Sequence, residues 1–119
     1  LERIRADLAA PPRKSWTRFI LIRIDQKEGM SMWPRLNPGS TILVDRHYNS
    51  LRPYRKNDRN MYAVRKGEGC TVKYVELSGS LIILRPHNPE YPVEALPLEE
   101  EQTYADLIVG RVAQVALET

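Results

Sequence analysis

"GCTVKYVELSGSLIILRPH", residues 69–87, holds two apolar runs on either side of Ser78-Gly79-Ser80. Both runs are rich in Val, Ile and Leu, and a short Ser/Gly turn between two such runs predicts a β-hairpin. The same pattern repeats outward from it. "TRFILIRID" (17–25), "STILVDRHY" (40–48) and "RNMYAVRKG" (59–67) each read as a strand. "LIVGRVAQVAL" (107–117) reads as a closing strand bent at Gly110, and "PVEAL" (92–96) as a short one. No segment keeps an apolar stripe at helical spacing. The predicted fold is mainly β, built of short strands and hairpins, without the βα alternation of a nucleotide-binding α/β fold. "LERIRADLAA" (1–10), stopped by Pro11-Pro12, reads equally as a short helix or a linker. Residues 1–17 are therefore taken as an arm and 18–119 as the domain.

Composition narrows the classes of function. A chain of 119 residues suits one domain with one core. The single cysteine, Cys70, excludes an intrachain disulfide and a CxxC metal site, and fits a reducing, cytoplasmic setting. No cofactor or metal is expected. The longest apolar runs, "FILI" (19–22) and "LIIL" (81–84), fall far short of the ~20 residues that cross a bilayer, so no membrane association is expected. The net charge is +3, concentrated between Arg46 and Lys66. A basic stretch can touch nucleic acid, but Asn49, Ser50, Pro53, Asn57, Asp58 and Asn60 make this one read as a solvated loop.

One serine invites a chemical question. Ser31 sits in "EGMSMWPRLNPGS" (28–40), where it either caps a turn or acts as a nucleophile. Gly29 permits close backbone approach there, and successive N–H groups in such a turn can bind an oxyanion. A nucleophilic serine needs a base. His47 with Asp45, or His87, would make a histidine triad. However, "GMSMW" lacks the second glycine of a nucleophile elbow, and His87 in "RPHNPEYP" reads as a surface loop residue. Lys73 is the other candidate. Alternation in "TVKYVEL" puts it on one face with Val75 and Leu77, while Val72 and Tyr74 face the other way. Burial disfavours the charged form of a lysine, and a neutral amine can serve as general base. A lysine that snorkels to solvent is the plainer alternative.

In their order and spacing these stretches resemble the LexA-type serine peptidase domain, the C-terminal half of LexA and of CI-like phage repressors, similar also to UmuD. "GMSMWPRLNPGSTILVD" (29–45) and "TVKYVE" (71–76) carry the resemblance to its serine and lysine segments. "NMYAVRKGEGCTVKYV" (60–75) is similar to the strand pair around the lysine, "LIILRPHNPEYPVEAL" (81–96) to the following hairpin and loop, and "LIVGRVAQVAL" to the closing strand. The likeness spans residues 18–117.

The resemblance implies a complex β-fold shared with signal peptidases, with Ser31 as nucleophile and Lys73 as general base of a Ser-Lys dyad. The backbone N–H groups of Met30 and Ser31 would hold the oxyanion, and Met32 and Pro34 would shape the serine turn. Members of this family cut their own chain at a small-residue–Gly bond, and RecA filaments stimulate the LexA-like ones. The domain also forms homodimers, so that upstream helix-turn-helix domains bind two-fold-symmetric operator DNA. The expectation is thus the C-terminal domain of a LexA/CI-like transcriptional repressor that self-cleavage inactivates, as in an SOS response. Two features depart from the family: Ser40 follows Gly39 where Asp is usual, and no Ala-Gly or Cys-Gly occurs in residues 1–119. The scissile bond is expected near or before Leu1, or else this member does not cut itself. The alternatives are an idle dimerisation module, a UmuD-like polymerase accessory, a signal-peptidase-like protease needing a membrane anchor, and a nucleic-acid-binding domain resting on residues 46–66.

Overall fold

The strands legible in the sequence pair into a single antiparallel sheet. The computed structural model describes residues 17–48, 51, 59–99 and 103–116. The elements run β1 (Phe19–Arg23), α1 (Gln26–Ser31), β2 (Thr41–Asp45), β3 (Met61–Lys66), β4 (Gly69–Ser78), β5 (Leu81–Arg85), β6 (Glu94–Pro97), α2 (Tyr104–Leu107) and β7 (Ile108–Ala116). The sheet has seven strands in the order β1-β2-β7-β3-β4-β5-β6. The fold is mainly β, as the alternating patterns require. The expected helix or linker at 1–10, and residues 49, 50 and 52–58 of the basic 46–66 stretch, lie outside the described residues.

The 69–87 hairpin forms as its sequence predicts, with Ser78 opposite Leu81 and Gly79 at φ 60 in the turn. Strand β4 pairs with β3 along its N-terminal part, Gly69 to Tyr74, and with β5 from Tyr74 to Ser78. Its first half therefore presents one edge without a strand partner, and α1 docks there.

Two apolar clusters explain why β3 and β4 are buried on both faces. Met61, Ala63, Val72 and Tyr74 join Ile24, Met32, Leu36, Ile42 and Val44 in one cluster. Tyr62, Val64 and Val75 join Ile82, Leu84 and Ile108 in the other. The alternation expected for "TVKYVEL" holds: Val72 and Tyr74 enter the first cluster and Val75 the second. Leu77, near the hairpin end, is exposed.

Several details differ from the sequence reading. Neither α1 nor α2 was expected, because six and four residues are too short to show a helical stripe. Strand β2 stops at Asp45, where its carboxylate accepts the His47 N–H at 3.0 Å and closes a turn. Strand β6 starts at Glu94 rather than at Pro92, which has no N–H to give a ladder. Gly110 serves close approach: a Cβ there would lie 2.4 Å from the Asp45 carbonyl oxygen. Gly110 also borders one of two register shifts of β7, with Ala63 opposite it and Val64 opposite Ile108; the other falls at Leu43/Val44.

Candidate active site

Helix α1 begins where Asp25 caps it, the carboxylate accepting the Glu28 N–H at 2.8 Å. The helix ends at Ser31, so the serine closes a helix rather than starting one. Beyond it the chain passes Trp33–Pro34, a cis peptide, and Met32 and Leu36 sink into the core. The loop then folds back, with Gly39 N–H donating to the Ile24 carbonyl at 2.9 Å and Ile24 N–H to the Ser40 carbonyl at 2.7 Å. Buried Ser40 accepts the Asn37 N–H through its hydroxyl, so the departure from the usual Asp is a loop closure in this chain. Gly29 is glycine for packing reasons: a Cβ would lie 2.5 Å from the Pro38 backbone.

These contacts bring Ser31 against β4. Lys73 Nζ lies 3.0 Å from Ser31 Oγ, and both residues are buried, at 5% and 4% exposure. The hydroxyl also donates to the Glu28 carbonyl at 2.9 Å. Around the amine sit Thr71 Oγ1 at 2.8 Å and Glu28 Oε1 at 3.0 Å. Thr71 reaches Lys73 because residues two apart on a strand share a face. A neutral amine in this setting can donate to Thr71 and Glu28 while turning its lone pair to the serine. Burial pushes the Cys70 thiol up, and the charge of Glu28 adds to that.

The pair opens into a pocket of about 220 Å³. Lys27 and Glu28 of α1, Lys66 of β3, and Tyr91, Pro92 and Glu94 form its walls with Ser31 and Lys73. Lys66 and Glu94 bridge across it at 2.8 Å.

Neither histidine candidate reaches the serine. The Asp45 carboxylate is held by the Arg18 guanidinium at 3.0 Å, which keeps it below the usual carboxylate range, and it meets His47 through the main-chain N–H. His87 proves partly buried rather than a plain surface residue, with Nδ1 2.8 Å from the Tyr74 hydroxyl. Burial first, then the nearby Arg59 and Arg35 guanidiniums, hold His87 below the ordinary histidine value of 6.5.

Two participants had no signal in the sequence alone. Glu28 touches Thr71, Val72 N and Lys73 with one oxygen. Buried Asn88 donates its amide to the Met30 carbonyl at 2.9 Å and its N–H to the Ser31 carbonyl at 3.0 Å. It thereby ties the loop after β5 to the serine segment. Met30 and Ser31, the expected oxyanion donors, lie in the last turn of α1.

A serine hydroxyl against a buried lysine amine, at the mouth of a pocket on a β scaffold, has the geometry of a nucleophile with its base. The chain belongs to the Peptidase S24-like family, whose profile matches residues 21–113. This is a family of serine peptidases that takes in LexA- and UmuD-type domains. No curated protein gives a significant match to the chain.

Proposed function

We propose that this domain cuts its own polypeptide through a Ser31–Lys73 dyad, and that it is the C-terminal domain of a LexA/CI-like repressor. The observation that carries the reading is the 3.0 Å contact between Ser31 Oγ and buried Lys73 Nζ in a chain of this peptidase family. Lys73, as the neutral amine, takes the serine proton while Oγ attacks the scissile carbonyl carbon. The family likeness assigns the oxyanion to the N–H groups of Met30 and Ser31, which must leave their carbonyl partners in α1 to hold it. Lys73 then returns the proton to the leaving amine as the C–N bond breaks, leaving an ester on Ser31 that water hydrolyses. The substrate is a peptide segment of the same chain, bound in the pocket beside Tyr91 and Glu94. Homodimerisation, operator binding through an upstream helix-turn-helix domain and stimulation by a RecA filament follow from the family likeness.

A second reading keeps the domain as an idle dimerisation module. It is favoured by the Ser31 hydroxyl, which donates to the Glu28 carbonyl at 2.9 Å rather than to Lys73. Incubating the full-length protein at alkaline pH separates the two. Self-cleavage yields two fragments, and Ser31→Ala or Lys73→Ala abolishes them. Wild-type protein as intact as the Lys73→Ala control leaves only the idle module.

A further inference from the structure

Glu28 takes no part in the proton transfers above, yet it engages both members of the dyad. Its main-chain carbonyl accepts the Ser31 hydroxyl at 2.9 Å. Its carboxylate Oε1 accepts from Thr71 Oγ1 at 2.8 Å, Lys73 Nζ at 3.0 Å and Val72 N at 3.2 Å. Both contacts oppose catalysis. A serine that donates to a carbonyl is not donating to its base, and an ion pair favours the ammonium over the lone pair that a base needs. The Lys73 side chain is only 6% exposed and that of Glu28 24%, so solvent screens this pair less than a surface one.

The surroundings leave Glu28 in charge of the site. The other groups facing the pocket are Lys27 on α1, Lys66 on β3, Tyr91 in the loop and Glu94 on β6. Lys66 and Glu94 neutralise each other at 2.8 Å. Glu28 is thus the carboxylate that balances Lys73. A merely structural tie to Thr71 and Val72 would need an acceptor and no charge.

We propose that Glu28 is a positioning residue that gates the dyad, holding Lys73 as its ion-pair partner and the Ser31 hydroxyl on its own carbonyl in the resting state. The gate rests on the dyad reading, and the test separates the two. In full-length protein, Lys73 is acetylated with acetic anhydride across a pH series and quantified by peptide mass spectrometry, beside the self-cleavage rate. Glu28→Gln keeps an acceptor for Thr71 and Val72 but removes the charge. The midpoint of Lys73 acetylation and the acidic limb of cleavage both move to lower pH by about one unit, speeding cleavage at neutral pH about tenfold. Glu28→Ala shares the shift. A shifted acetylation midpoint in a protein that never cleaves keeps the gate and sinks the peptidase reading. Unchanged midpoints with slower cleavage overturn the gate, as does failure of both variants to fold, because either makes Glu28 a structural tie alone.

Discussion

Strand β4 and helix α1 each deliver one half of the dyad, and they are held in opposite ways. Lys73 sits in a ten-residue strand, hydrogen-bonded to β3 on one side and entering its pairing with β5 at the next residue. Its neighbours Val72, Tyr74 and Val75 fill both core clusters. Ser31 ends a six-residue helix, which is too short to be stable by itself. A few bonds place that helix: Asp25 at its cap, Glu28 against β4, and Asn88 on its last carbonyls, by side chain to Met30 and by main-chain N–H to Ser31. The base comes with the sheet, whereas the nucleophile comes with a handful of tertiary bonds. Damage to the β4 side should unfold the domain, and damage to the α1 side should disarm it while it stays folded.

Tyr74→Ala is the harshest way to break that contrast. Tyr74 is fully buried, with its hydroxyl on His87 and Arg35, so truncation should cost about 3–5 kcal/mol and abolish cooperative unfolding near physiological temperature. Calorimetry reads this directly, and a melting temperature close to wild type would show that β4 is not the frame assumed here. Asn88→Ala probes the other side. Losing its amide removes one of two donors to the part-buried Met30 carbonyl, the Trp33 N–H being the other, and costs about 1 kcal/mol. The fold survives, but any self-cleavage should fall further than the stability loss explains, because the serine turn keeps only the main-chain bond from residue 88 to the Ser31 carbonyl. Equal losses in stability and rate would erase the distinction between the two regions.

The smallest effect is one of pH. His87, beside Tyr74, is held below 6.5 in the folded chain, so the unfolded chain binds its proton more readily. Stability is therefore complete above about pH 6.5 and declines as the pH falls through that value. His87→Gln should flatten that decline in chemical denaturation between neutral pH and pH 5. An unchanged slope would assign the acid sensitivity elsewhere.

What the sequence made legible follows the same division. Strands announce themselves by alternation, so β4, its hairpin and the face on which Lys73 lies could all be read from "TVKYVEL" and "SGS". Ser31 and Lys73 could be singled out from the residues as a candidate nucleophile and base, and the family likeness paired them. Helix α1 was invisible, since fewer than two turns leave no period to read. Glu28 was missed for another reason: its partners lie 43 to 45 positions away, and an isolated glutamate before a glycine looks like a solvated helix-end residue. Asn88 is 58 positions from Met30, and nothing near it in sequence signals a buried amide. His87 read as surface because its loop is rich in proline, while the Tyr74 hydroxyl that shelters it belongs to a different strand.

The claim on which everything else depends is that Lys73 activates Ser31. Labelling with a fluorophosphonate, read by intact mass and peptide mapping in wild-type and Lys73→Ala protein, tests it most directly. The account predicts one adduct, on Ser31, forming faster as the pH rises and lost in Lys73→Ala while the melting curve stays cooperative. Equal labelling of the two proteins, or an adduct on any other residue, would contradict it.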